Sequence, residues 1–144
     1  MKKAIFAGSF DPLHQGHLKI IEKGLQMFEK IFVVIANNDF KANQESLGKR
    51  ARHVKTKLNH KNVEVKILDQ KYLAKWACQN NVKYLIRSAR NNTDFKYELD
   101  MAKMNKIINH QLETILIIPN YEDIDFSSRK FKEFNRTYQK EGGR

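Results

Sequence analysis

Short apolar runs alternate along the chain with stretches in which apolar residues recur every three or four positions. The runs are rich in β-branched residues, which is typical of buried strands, whereas the recurrence predicts helices. Strands are predicted at residues 3–8, 31–37, 63–68, 83–87 and 114–118. Helices are predicted at 18–30, 47–59 and 72–80, after the fourth strand, and around Phe131, Phe134 and Tyr138. This alternation indicates an α/β fold with a five-stranded parallel sheet and helices on both faces.

The helix after the fourth strand has the strongest pattern. The side chains of the Asn-Asn-Thr-Asp stretch at 91–94 can cap its N-terminus. Tyr97, Met101, Met104 and Ile108 share one face of the helix. We therefore expect this face, with both methionines, to pack into the core.

Polar residues follow two of the predicted strands. In open parallel sheets, ligands bind beyond the carboxyl ends of the strands, where the strand order reverses. Gly8, Ser9, Asp11, His14 and His17 come after the first strand, and Arg87, Ser88 and Arg90 come at the end of the fourth. If these strands are central neighbours, the two segments face each other and form a phosphate site.

The composition is that of one globular domain in a reducing compartment. A length of 144 residues suits a single core, and 41% hydrophobic with 30% charged residues excludes a disordered or collagen-like chain. We expect one domain over residues 1–144, with 141–144 as a frayed tail. The apolar run at 31–36 is far below the roughly 20 residues that cross a bilayer, so no membrane partner is expected. A single cysteine, Cys78, cannot form an intramolecular disulfide, which favours the cytoplasm.

The net charge of +11 favours anionic partners, from nucleotides to nucleic acid. It arises from 27 Lys and Arg against 16 Asp and Glu. These charges are scattered along the chain, and no basic block with interleaved aromatic residues stands out. A solvated basic surface therefore explains the charge better than a dedicated nucleic-acid-binding face.

The segment with the clearest chemistry is Gly-Ser-Phe-Asp-Pro-Leu-His-Gln-Gly-His at residues 8–17, which joins the first strand to the first helix. Its glycines and proline favour a turn, and a helix N-terminus offers unpaired backbone N–H groups to an anion. His14 and His17 are three residues apart on the first helical turn, so both can reach one ligand. We interpret them as phosphate contacts.

Two other interpretations of these histidines remain open. With Asp11, the two imidazoles could ligate a cation, although Mg²⁺ prefers oxygen ligands and zinc would need a further ligand. Alternatively, His14 and His17 could be capping or surface residues.

The run at residues 8–17 resembles the phosphate-binding signature of the nucleotidyltransferase superfamily, which contains a His-x-Gly-His element. A second block carries Tyr-Leu-Ile-Arg-Ser-Ala-Arg and, further on, Met-Ala-Lys-Met-Asn within residues 84–105. This block resembles the bacterial phosphopantetheine adenylyltransferases. The resemblance extends over residues 3–134 almost without gaps.

The resemblance implies a single Rossmann-like domain and an enzyme of coenzyme A biosynthesis. Such an enzyme moves AMP from ATP to 4′-phosphopantetheine by direct in-line displacement, giving dephospho-coenzyme A and pyrophosphate. It implies Mg²⁺ that arrives with ATP, a homo-hexamer, and ATP and 4′-phosphopantetheine as partners, with neither nucleic acid nor membrane. No residue is assigned as a metal ligand.

The resemblance also assigns roles to individual positions. The catalytic positions are His17, Lys41 and Arg90. The substrate-binding positions are Ser9, Lys41, Leu73 and Arg87. The ATP-binding positions are Ser9, Phe10, His14, His17, Ser88, Ala89, Arg90, Glu98, Asp123, Ile124, Asp125, Phe126, Ser127, Ser128 and Arg129.

Three alternatives stand beside this hypothesis. The acceptor could be another phosphate monoester such as nicotinamide mononucleotide, because the first motif is shared across these transferases. The chain could be a basic nucleic-acid-binding α/β protein, or a fragment of an aminoacyl-tRNA synthetase. The block at 84–105 argues against the first, and the lack of a Lys-Met-Ser-Lys-like loop argues against the last.

Overall fold

The structure is a computed structural model that describes residues 1–37, 45–124 and 132–137. The elements follow the predicted order of alternating strands and helices. They are β1 (Lys3–Gly8), α1 (Gln15–Leu25), β2 (Lys30–Ile35), α2 (Leu47–Lys57), β3 (Val63–Ile67), α3 (Leu73–Gln79), β4 (Tyr84–Ser88), α4 (Asn92–Ile108), β5 (Glu113–Ile117), a 3₁₀ turn (Tyr121–Asp123) and α5 (132–137). None of the helices within the described ranges has the length and apolar character to cross a membrane.

The first helix ends five residues before its predicted end at Lys30. A tight turn closes it, because the Gln26 N–H donates to the Lys23 carbonyl and the Met27 N–H donates to the Gly24 carbonyl. The chain then passes directly into β2. The apolar Phe28, which suggested a longer helix, is buried in this connection.

The five strands form one parallel sheet in the order β3-β2-β1-β4-β5. β1 therefore lies at the centre, with β2 on one side and β4 on the other. The predicted parallel sheet is confirmed, and the first and fourth strands are central neighbours, which is the condition for the predicted phosphate site. Because the strand order reverses between β1 and β4, this is the position at which such sheets bind ligands.

Side chains of each central strand alternate between two cores. Ala4 and Phe6 of β1 pack with residues of α1 and α2, whereas Ile5 and Ala7 pack with residues of α3. Ile108 at the end of α4 joins the second core. The prediction of helices on both faces is thus confirmed, and the period-two alternation of a buried strand explains it.

The predicted inward face of α4 is wrong for three of its four residues, since only Ile108 packs against the core. Met101 and Met104 are 40% and 52% exposed, and Tyr97 is also half-exposed. The stripe that faces the protein instead runs through residues 94, 98, 102, 105 and 108, about one residue further round the helix. Its one buried member is Glu98, a charged residue, so a hydrophobic pattern could not reveal this face.

Candidate active site

The carboxyl ends of β1 and β4 meet at the centre of the sheet. Arg87, near the end of β4, donates from Nη1 to the carbonyl oxygen of Ala7 in β1 at 3.2 Å. The loop after β1 leads to the N-terminus of α1, and the loop after β4 leads to the N-terminus of α4. The structure therefore brings together two predicted anion-binding segments that lie about 80 residues apart in the chain.

The loop after β1 is held by the buried ring of Phe10. Phe10 has a φ of 47°, a left-handed conformation that is rare for a bulky residue. Its ring packs edge-on against Phe6 at 5.8 Å and against His17 at 4.8 Å between centroids. Such strain persists only where the surroundings over-determine it, and it is typical of ligand-binding turns.

His14 and His17 form a reciprocal cap at the start of α1. The Gly16 N–H donates to Nδ1 of His14, and the His14 N–H donates to Nδ1 of His17, both at 3.1 Å. The two imidazole rings are stacked, with centroids 3.7 Å apart. Both Nδ1 atoms are therefore occupied as acceptors, and the cap interpretation of the histidines is correct for Nδ1.

The side chain of His17 is a neutral hydrogen-bond donor at physiological pH. Burial, and to a smaller extent the nearby His14, lowers the pKa of His17 from 6.5 to about 4. Since Nδ1 accepts a hydrogen bond, the single ring proton resides on Nε2. His17 thus offers an N–H to a phosphate oxygen without being protonated first, and in this tautomer it offers no lone pair to a metal ion.

Arg87 is anchored by Glu98 of α4. Its Nε and Nη2 each donate to one oxygen of Glu98 at 2.6 Å, which makes a two-point ion pair. Burial acts to lower the pKa of Arg87, but the hydrogen bonds and charge of Glu98 outweigh it and raise the pKa. With Ala7, this pair uses three of the five guanidinium N–H groups, which leaves two for a ligand.

Arg90 lies at the start of α4, where Asn91 caps the helix as predicted. The Asn91 side chain accepts from the Asp94 N–H at 2.8 Å. The Asp94 carboxylate in turn accepts from the backbone N–H and Nε of Arg90 at 3.1 and 3.2 Å. The side chain of Arg90 is 61% exposed, and its guanidinium keeps further donors for an anion.

Comparison with known proteins identifies the family. A family model described as cytidylyltransferase-like matches residues 5–134. The phosphopantetheine adenylyltransferase of Wigglesworthia glossinidia brevipalpis is 42% identical over 135 residues, which is 92% of this chain and 79% of that relative. The protein of the same name from Mycoplasma mycoides subsp. mycoides SC is 34% identical, and the match covers 96% of that relative. The chain belongs to the phosphopantetheine adenylyltransferase family.

This membership makes the protein a nucleotidyltransferase. Among solved structures, the lipopolysaccharide core biosynthesis protein from Thermoplasma volcanium GSS1 superposes with a TM-score of 0.61. It is 17% identical and covers 83% of this chain and 97% of its own. At that identity the likeness shows the shared Rossmann-like fold.

Of the positions predicted from the phosphopantetheine adenylyltransferase resemblance that the structure describes, most lie at this edge of the sheet. Ser9 and Phe10 follow β1, Ser88 ends β4, and the buried Ala89 continues toward α4. Asp123 lies in the 3₁₀ turn and accepts from Lys19 of α1 at 3.2 Å, and Ile124 follows it. Leu73 begins α3 and packs on the rim of the second core. Lys41, Asp125, Phe126, Ser127, Ser128 and Arg129 lie outside the described residues.

The sequence analysis missed one charged residue of this region, Arg50. It lies on α2, is 3% exposed, and donates to the Ser9 carbonyl at 2.7 Å. Arg50 occupies the inward stripe of α2 with Ala51 and Val54. A charge inside an otherwise apolar stripe is the signal that could have revealed it.

Within residues 1–37, 45–124 and 132–137, no three His, Cys, Asp or Glu side chains are grouped so that they could hold a metal ion.

Proposed function

We propose that the protein transfers the adenylyl group of ATP to 4′-phosphopantetheine and releases dephospho-coenzyme A and pyrophosphate. The observation that carries this proposal is the contact of the Arg87 guanidinium with Ala7 near the carboxyl end of β1, the strand that leads into the His17 loop, at the switch point of the sheet. Two anion-binding segments at one edge suit a reaction between two phosphate-bearing substrates. The names of the relatives support phosphopantetheine as the acceptor.

The chemistry demands alignment more than proton transfer. A phosphate oxygen of the acceptor attacks the α-phosphorus of ATP, the bond from that phosphorus to the bridging oxygen breaks, and pyrophosphate leaves. The attacking group is already an anion, so no general base is needed. The protein therefore has to hold two mutually repelling phosphates in line and to stabilise the charge of the transition state.

His17 is the proposed donor to the α-phosphate. Its Nε2–H is available at neutral pH because Nδ1 is held by the His14 N–H and the ring is neutral. A fixed donor that needs no reorganisation is the kind of group that stabilises developing charge on oxygen.

The acceptor phosphate is assigned to Arg87 and Lys41, with Leu73 as an apolar contact. Arg87 keeps two N–H groups after its contacts with Glu98 and Ala7, and Glu98 prevents the guanidinium from rotating. We therefore propose that Glu98, which the resemblance assigned to ATP binding, instead positions Arg87. The departing pyrophosphate is assigned to Arg90 with residues 127–129.

We further propose that Mg²⁺ enters with ATP. Hard cations prefer oxygen ligands, and the triphosphate supplies them. The cation is thus treated as part of the substrate, and no protein ligand is named for it. The proposed compartment is the cytoplasm, which the free and exposed Cys78 supports.

We propose that the chain assembles as a homo-hexamer and that an apolar stripe on α4 supports this. Tyr97, Met101, Met104 and Ile107 form this α4 stripe, and each is at least 40% exposed. Contiguous exposed apolar surface is typical of protein–protein interfaces. Light scattering should give about six times the 17.0 kDa chain mass, and Met104→Lys should lower it, unlike Met27→Lys at an exposed methionine elsewhere. A monomeric wild type contradicts the assembly.

The deciding experiment measures pyrophosphate release from ATP and Mg²⁺ with 4′-phosphopantetheine and, separately, with nicotinamide mononucleotide. We expect release only with phosphopantetheine, together with dephospho-coenzyme A detected by mass spectrometry. Release only with nicotinamide mononucleotide would assign a different acceptor. Release with neither acceptor would overturn the proposal.

A further inference from the structure

Arg50 is a buried cation that the proposed chemistry leaves unused. It is 3% exposed, and among the described residues no carboxylate forms an ion pair with it. Burial of a charge without a counter-charge is costly, so such a residue calls for a compensating role.

Four N–H groups of Arg50 bind four neutral oxygen atoms from three segments. Nη1 donates to the carbonyls of Ser9 at 2.7 Å and Ala36 at 3.1 Å, which follow β1 and β2. Nε donates to the Glu45 carbonyl at 3.0 Å, just before α2, and Nη2 donates to the Asn37 side chain. One guanidinium thus ties together the loops beyond two neighbouring strands.

The contact with Ser9 also sets the direction of the next backbone N–H. In a trans peptide the carbonyl and the following N–H point in opposite directions. Because the Ser9 carbonyl points to Arg50, the Phe10 N–H points away from it. Within the described residues, no acceptor is paired with this N–H.

We propose that Arg50 is a positioning residue for nucleotide binding. It orients the Ser9–Phe10 peptide so that the Phe10 N–H is available to a phosphate oxygen of ATP, and its charge is balanced by that phosphate when ATP binds. This role adds Arg50 to the residues of the proposed active site. It rests on the proposed function only for the identity of the nucleotide.

The test compares ATP binding to wild type, Arg50→Met, Arg50→Lys and a control, by isothermal titration with Mg²⁺ present. The control is Arg52→Met, which removes the same charge from an exposed position two residues along the same helix. We expect the Kd of ATP to rise at least 10-fold in Arg50→Met and less than 2-fold in Arg52→Met. Arg50→Lys keeps the charge but loses the planar guanidinium that binds several acceptors at once. Its Kd for ATP should therefore lie between those of wild type and Arg50→Met.

The titration separates positioning from folding. Irreversibly misfolded protein lowers the number of binding sites per chain, whereas reversible unfolding raises the measured Kd by the inverse of the folded fraction, so the Kd of each variant is corrected by its folded fraction from urea unfolding. A Kd for Arg50→Met within 2-fold of Arg52→Met would overturn the proposal. If Arg50→Met does not fold, Arg50→Lys decides, with a rise of at least 3-fold expected and an unchanged Kd contradicting it. Wild type that binds ATP without adenylylating phosphopantetheine would contradict the proposed acceptor, and the comparison of Arg50 variants would still decide this inference.

Discussion

Replacement of Glu98 by alanine should strongly destabilise the protein, because it leaves the partly buried Arg87 without its counter-charge. The carboxylate makes two hydrogen bonds of 2.6 Å to Arg87, and the two side chains are 5% and 31% exposed. Loss of one partner of a buried ion pair costs about 3–5 kcal/mol. Since water still reaches part of Arg87, we expect a loss of about 2–4 kcal/mol. This loss is a large fraction of the free energy of unfolding of a typical protein, which is about 5–15 kcal/mol.

The measurement is equilibrium unfolding in urea, followed by the fluorescence of Trp76. This is the only tryptophan in the sequence, and it is 5% exposed, so its emission should report loss of the second core. Asp100→Ala is the matched control, because the Lys96–Asp100 pair on the same helix spans 3.4 Å and is 79% and 67% exposed. Removal of such a pair should change the free energy of unfolding by less than about 1 kcal/mol.

A double-mutant cycle identifies the interaction responsible. Arg87→Met removes the charge that Glu98→Ala leaves unpaired, so the double variant should lose less stability than the sum of the two single variants. We expect a coupling free energy of about 1.5–3 kcal/mol. If the free energies of unfolding of Glu98→Ala and Asp100→Ala differ by less than about 0.5 kcal/mol, the ion pair with Glu98 does not hold Arg87 in place.

Three further predictions concern His17 and two glycines. His17→Ala should lower kcat about 10²- to 10³-fold with little change in the Kd of ATP, as measured by stopped-flow pyrophosphate release, and an unchanged kcat would remove His17 from the mechanism. NMR titration should find the pKa of His17 at about 4 in the free protein and higher with ATP bound. Because this folded-state pKa lies below the unfolded value of 6.5, His17 should reduce the free energy of unfolding as the pH falls from 6.5 towards 4. A measured pKa near 6.5 for His17 in the folded protein would contradict its burial. In urea unfolding, Gly24→Ala should destabilise by about 1–2 kcal/mol, because its Cβ would come within 2.7 Å of Ile31 and 2.9 Å of Ile86. A Cβ at Gly48 on α2 would have no atom within 4 Å, so Gly48→Ala should stabilise the protein by up to about 1 kcal/mol. Equal changes in the free energy of unfolding for Gly24→Ala and Gly48→Ala would refute the clash at Gly24.

The sequence by itself determined the elements and their order, because these depend on local properties. Apolar β-branched runs produce the strands, and the Asn91 cap starts α4 close to its predicted position. The polar residues after β1 and β4 also marked the correct edge of the sheet, since that rule depends only on strand order and direction. The family resemblance added roles for positions such as Ser9 and Arg87, which no local pattern supplies.

Only the tertiary structure decided how charged side chains are partnered, because their partners are distant in sequence. Glu98 turns inward to meet Arg87, and this rotates α4 away from the face that its hydrophobic pattern suggested. Arg50 likewise contacts a carbonyl 41 positions away, and the burial that lowers the pKa of His17 depends on packing against Phe10. A buried charge is tolerated only where specific partners converge on it, and that convergence exists only in the folded chain.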